Sequence, residues 1–203
     1  MRVPTVARHG SQPVLVWHFA AARRTISSAA VGGGIGERQW ICNAQVARDY
    51  ARTDLAAHID EVAVATGCEG SGIGMLTAAD VQRFSCATDR DVDVFATVGL
   101  SHPTWAADRD DAVSAWAPGT INVVAFVPHP LTDDALVNAV MTTTEAKTQA
   151  LIEAGIPGTG TASDAVCIAC DPAGPVERFA GPRSAIGASL ARAVRAAVQG
   201  GIR

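Results

Sequence analysis

Two short segments, Val92–Leu100 and Ile121–Val127, are almost continuously apolar, and they restrict the fold of this chain more than any other feature. Both are short and rich in β-branched residues, so they read as strands covered on their two faces, and hence as central strands. Such strands need packing elements on either side. Pro13–Phe19, Thr25–Val31, Trp40–Val46, Ile73–Thr77 and Ala165–Cys170 carry the same composition between Gly, Pro or charged residues and predict further strands.

Three helices are expected beside them. Thr53 can cap a helix whose apolar positions Leu55, Ile59, Val62 and Ala63 fall at helical spacing before Gly67. A longer one runs over Leu131–Ala154, with Thr132 as cap, Asp133 and Asp134 at its positive end, and Gly155 and Pro157 as its stop. Ile186, Leu190, Ala193, Val194, Ala197 and Val198 form one stripe of a closing helix, with Arg192 and Arg195 on its wet side. Strands follow one another in places and alternate with helices in others. That pattern predicts an α+β fold, a mixed sheet with packed helices or a layered α/β sandwich, in one domain over residues 1–203.

Composition narrows the function. A chain of 203 residues with 48% hydrophobic and 18% charged content can build a sizeable core. Its five cysteines are odd in number and widely spread, which fits a reducing compartment rather than a disulfide framework. The net charge is −4 and the Arg residues are scattered, so no nucleic-acid partner is expected. The best apolar stretch, residues 13–22, is broken by His18 and followed by Arg23 and Arg24, well short of the roughly 20 residues a bilayer needs. The opening MRVPTVARHG has no apolar leader core, and a cytoplasmic location without membrane contact is expected.

Several chemistries are excluded by spacing. The glycine-rich turns at 32–36, 70–74 and 158–161 fail the GxGxxG pattern, because Gly34 leads to Glu37, Gly72 to Met75 and Gly160 to Ser163. No GK[ST], GxSxG or HExxH is present. Cys167 and Cys170 form a CxxC, but in a strand residues i and i+3 point to opposite faces, so structural thiols are expected. Neither a metal site nor a cofactor is indicated. The histidines 9, 18, 58, 102 and 129 show no ligand spacing; His58 is expected on a helix surface, and only His102, in the turn GLSHP, sits where sites are built.

What remains is a polar set. The single lysine, Lys147, lies two residues from Glu145 on the long helix, and neither has an opposite charge at i+3 or i+4. Each needs a tertiary partner or a ligand, or is a snorkelling surface residue. GTGTASDAV, residues 158–166, delivers Thr159, Thr161, Ser163 and Asp164 to the start of a strand, as a hydrogen-bonding cradle, a nucleophile loop or a plain Ser/Thr turn. Thr120 and Asn122 open another strand and Asn43 lies within a third; buried Asn side chains need partners.

The ordered segments ICNAQVARDY (41–50), GMLTAADV (74–81), ATVGLSHP (96–103), PGTINVVAFV (118–127), LVNAVMTTTEAKTQAL (136–151) and GTGTASDAV (158–166) resemble the adenosylcobinamide amidohydrolase family. The likeness runs from about Ser27 to the final helix, and Ser163 stands where Thr is expected in relatives. The resemblance implies hydrolysis of the amide joining aminopropanol to the adenosylated corrin ring, with a small-molecule corrinoid as substrate. A pocket with aromatic walls and a rim of Asn, Ser and Thr would suit it, and Trp40 and Trp105 are the aromatics nearest these segments. Amide hydrolysis needs a base, an oxyanion partner and a proton for the leaving amine. Glu145 or Asp164 is expected as base, Lys147 with Asn43 or Asn122 as oxyanion and substrate-holding groups, and Thr161, Thr159, Ser163 and His102 in supporting or nucleophilic roles. Self-cleavage before Thr161 is the less favoured alternative, since Asp164 can activate a hydroxyl in an intact chain. The rival readings are a non-catalytic corrinoid or small-ligand binding protein, and a redox or zinc domain on Cys167 and Cys170.

Overall fold

The computed structural model describes residues 2–108 and 119–202. Among these the strands and helices run β1 (Thr5–His9), β2 (Gln12–Ser27), β3 (Gly34–Gln45), α1 (Leu55–Thr66), β4 (Gly72–Thr77), β5 (Ser85–Asp89), β6 (Val92–Val98), β7 (Ile121–Val127), α2 (Asp133–Glu153), β8 (Ala165–Cys170) and α3 (Ala185–Gly201). The strands form one mixed sheet in the order β4-β3-β2-β8-β7-β6-β5, with β1 added beside β2. β3 and β4 pair in parallel, as do β7 and β8, while the other pairs are antiparallel.

The sheet turns on β2. Val14–His18 pair with Ala44–Trp40 of β3, the register shifts between His18 and Arg23, and Thr25–Ser27 then pair with Ala169–Cys167 of β8. The expected strand over 13–19 and the first three residues of the one expected over 25–31 are thus the ends of one 16-residue strand, and residues 28–31 leave it. Its irregular middle lets the two halves of the sheet face each other. Leu15, Trp17, Ile41, Ile73 and Met75 from one half meet Phe95, Val124, Phe126, Cys167 and Ala169 from the other in a single buried cluster. Trp17 and Phe126 both approach Phe95, the first edge-on with ring centroids 5.5 Å apart.

Helices cover the two outer faces. α1 lays Ile59, Val62 and Ala63 against Val16, Trp40 and Cys42. α2 and α3 cover β6, β7 and β8 with Leu136, Ala139, Leu151, Leu190, Val194 and Val198. The result is a helix–sheet–sheet–helix sandwich of α+β character, with β6 and β7 buried on both faces as their composition requires.

Three local expectations are corrected. Asp54, not Thr53, stands at the N-cap of α1, where it is held by Arg52 rather than bonding the helix N–H groups. His58 is buried rather than exposed; its Nδ1 lies 2.7 Å from the Tyr50 hydroxyl, and its ring packs near His9. Burial, then the Arg52 and His9 charges, push its pKa below the usual histidine value. β1 and β5 lie outside the strands expected above, because both are half-exposed edge strands of mixed polarity that carry little periodic signal.

Candidate active site

One rim of the sandwich gathers the C-terminal ends of β3, β4 and β6 and the N-terminal starts of β7 and β8. Strand ends leave backbone groups unpaired, and the loops that leave them carry side chains out of the core, so polar residues collect there. Residues 43–48, 76–80, 97–101, 119–122 and 161–164 all meet on this rim, although the chain separates them widely.

Asp164 is its hub. Oδ1 accepts from the Ile121 N–H at 2.9 Å and the Thr161 hydroxyl at 2.5 Å, while Oδ2 accepts from the Thr161 N–H at 3.2 Å and from Lys147 Nζ. Lys147 thereby finds across the fold the partner that helix spacing denied it. Both side chains are nearly buried, at 8% and 12% exposure, so this ion pair is shielded from solvent. Gly160 packs directly on it, and a Cβ there would collide with Asp164 Oδ2. The same loop is tied to the 99–106 turn by Thr104 N–H to Gly160 O at 2.9 Å and Thr159 N–H to Thr104 O at 2.8 Å.

Beside the hub, the Ser163 and Thr120 hydroxyls are 2.7 Å apart, and Ser163 Oγ reaches Gly119 O at 3.2 Å. These two hydroxyls line an apolar lobe of about 400 Å³ together with Val46, Tyr50, Leu55 and Leu76. A second, polar lobe of about 460 Å³ is lined by Arg48, Asp80, Arg83, Gly99, Ser101 and Gly119. Arg48 and Ala78 line both, so the two lobes of the cleft are adjacent and share a wall.

The other expected site residues are placed differently. Asn43 and Asn122 are 2% exposed and lie beneath the cleft: Asn122 Nδ2 donates to Asn43 Oδ1 at 2.9 Å and to Leu76 O at 3.1 Å, and Asn43 Nδ2 donates to Thr97 Oγ1 at 2.9 Å. They knit together the strand ends under the site. Thr159 Oγ1 accepts from the Ala106 N–H at 2.9 Å and so ties its loop to the 99–106 turn. His102 is exposed, with its backbone beside Gly119. Glu145 is exposed on the outer side of α2, beside Thr148 and Gln149, because two residues of helix turn it well away from the face that Lys147 buries.

A family model, adenosylcobinamide amidohydrolase, matches residues 2–203. The chain belongs to this family. An adenosylcobinamide amidohydrolase of Methanosarcina mazei is 29% identical over 184 residues, covering 86% of this chain and 88% of that protein. One from Halobacterium salinarum is 40% identical over 132 residues, or 62% of this chain and 56% of its own length. Among solved structures, the PH0078 protein of Pyrococcus horikoshii OT3 aligns with 98% of this chain and 81% of its own at a TM-score of 0.47 and 11% identity.

The cleft is also lined by residues that residue-by-residue reading did not single out. Arg48 and Tyr50 lie in the first of the quoted segments and Asp80 in the second, so the segments were the signal for them. An aromatic wall at Trp40 is not observed: its ring is buried under α1 against Gly72, with Nε1 donating to Gly70 O at 3.2 Å, while Trp105 is half-exposed.

The CxxC lies apart from the family cleft. Cys167 faces the core between the sheet halves and Cys170 the helix side, as the strand period requires. Burial raises both thiols, Cys170 to about 11, so neither is a thiolate at neutral pH. Replacing both by Ala is expected to cost about 1 kcal/mol of stability each and to leave amide turnover within a few fold. Loss of turnover in a well-folded double variant would show that the thiols take part in the reaction.

Proposed function

We propose that this chain hydrolyses the amide between aminopropanol and the corrin ring of adenosylcobinamide, as a single catalytic domain acting in the cytoplasm. Its free cysteines suit that reducing compartment, and no helix among the described residues is long and apolar enough to cross a membrane. The observation that carries the reading is spatial. Five family-like segments, 41–50, 74–81, 96–103, 118–127 and 158–166, contribute residues to one rim, the first three at the ends of β3, β4 and β6 and the last two, from residue 119 and from residue 161, at the starts of β7 and β8, and the sixth, 136–151, brings Lys147 beneath it.

The hydrogen bonds around Asp164 support a water-mediated route. The single Thr161 hydroxyl proton has two acceptors, Asp164 Oδ1 at 2.5 Å and Gly119 O at 2.6 Å; turned to the ionised Asp164, it leaves the Thr161 oxygen lone pairs to accept. A water attacking the amide carbonyl passes its proton to Thr161 Oγ1 as Thr161 passes its own to Asp164. The same path returns a proton to the departing amine, and the water oxygen stays on the new carboxylic acid. Ser163 and Thr120 face the amide from the cleft, and Lys147 holds Asp164 in position without reaching the cleft itself.

Incubation of the protein with adenosylcobinamide is expected to release 1-amino-2-propanol and adenosylcobyric acid, from a single species near 20.9 kDa by intact mass. Substrate bound tightly but intact after long incubation with folded protein would establish the binding-protein reading. A fragment starting at Thr161 would move the reaction to a self-cleaved chain.

A further inference from the structure

Amide hydrolysis converts a neutral group into a carboxylate, and an enzyme that performs it has to hold negative charge first on the tetrahedral oxyanion and then on the product. Lys147 does not line the cleft: it is buried, and its ammonium is committed to Asp164. Arg48 is placed differently. It follows the end of β3, is exposed, and lines the apolar lobe with Ser163 and Thr120 as well as the polar lobe with Gly119. It makes no hydrogen bond or ion pair with any described residue. Asp80 and Arg83 share the polar lobe; Asp80 Oδ1 already accepts from the Gln82 N–H at 3.0 Å, and Arg83, though its side chain has no partner among the described residues either, does not line the lobe that holds Ser163 and Thr120.

We infer that Arg48 is the substrate-contacting cation of the cleft, meeting the scissile carbonyl oxygen as it becomes negative and afterwards the carboxylate of the acid product. The inference rests on the proposed amidohydrolase reading. A guanidinium offers a fork of N–H donors that fits the two oxygens of a carboxylate, and it can serve a single oxyanion with one arm. A neutral amide draws much less from it. The cleft therefore binds the acid product more tightly than the amide substrate, and the difference resides in Arg48.

The test measures affinity for adenosylcobyric acid and for adenosylcobinamide, together with turnover, in the wild-type protein and in Arg48→Gln and Arg48→Lys. The wild type is expected to prefer the acid at least about tenfold, the scale of one charge-assisted contact. Arg48→Gln is expected to lose that preference and at least about tenfold in kcat, with substrate affinity changed little. Arg48→Lys keeps the charge without the fork and should fall between the two. Because Arg48 is exposed and has no side-chain partner among the described residues, both variants are expected to keep wild-type stability. A wild type without the preference, or an Arg48→Gln that retains both preference and kcat, overturns the assignment while leaving the amidohydrolase reading intact. A wild-type protein that cleaves nothing refutes that reading, and the inference with it.

Discussion

Replacing Asp164 by Asn is expected to abolish measurable release of aminopropanol and to lower stability by about 3–5 kcal/mol, the cost of leaving one member of a buried ion pair unmatched. The carboxylate accepts from four donors and has none of its own. An amide in its place turns an NH2 toward donors that already point inward and leaves the Lys147 ammonium buried without a counter-charge. It also cannot take the proton of Thr161. Denaturant unfolding and turnover, measured where the variant is still folded, separate the two effects. A second variant separates them further: with Lys147→Met added, the stranded charge is gone and part of the stability should return, whereas turnover should not. A folded Asp164→Asn protein with wild-type turnover would remove Asp164 from the mechanism.

Lys147→Met is expected to cost at least about tenfold in turnover, equivalent to about 1.4 kcal/mol of transition-state stabilisation. Methionine keeps the apolar stem of the side chain and removes the ammonium, with its charge and its hydrogen bond to Asp164. Asp164 then retains the Ile121 N–H, the Thr161 N–H and the Thr161 hydroxyl, so the stability loss should lie near the lower end of the range, about 3 kcal/mol. The ammonium lies under the loop rather than in the cleft. The loss should therefore fall on kcat and leave KM nearly unchanged, the signature of a group that acts through another. An equal rise in KM would show instead that Lys147 touches the substrate, and an unchanged rate would reduce the ion pair to a structural one.

The two side chains illustrate how different parts of the site were legible. The limits of α2 were readable from Asp133 and Gly155, with Thr132 at the N-cap position although its hydroxyl bonds no helix N–H, and the buried stripe of α3 from its apolar positions, because dipole charge, left-handed glycine stops and the helical period are local properties. The same holds for β7, whose unbroken apolar run left it no place but the interior. Local period also established that Glu145 and Lys147 lie on different faces of α2. It could not tell which face turns toward the sheet, and that choice alone put Lys147 on Asp164 and Glu145 into water.

The polar residues depended most on the tertiary fold. Asn43 and Asn122 looked suited to hold a ligand, yet the facing of the two sheet halves buried them against each other. Arg48 and Asp80 follow β3 and β4 on loops with no periodicity to mark them, and they join Ser163 only because those strands end on the rim where β8 begins. The amino-acid sequence by itself determined the three helices, the covered central strands and the family, but not the edge strands β1 and β5 or the continuity of β2. The fold of β2 back across the sheet decided which loops meet, because a site of this kind is made of contacts between segments far apart in the chain, and their closure is settled by core packing rather than by any local pattern.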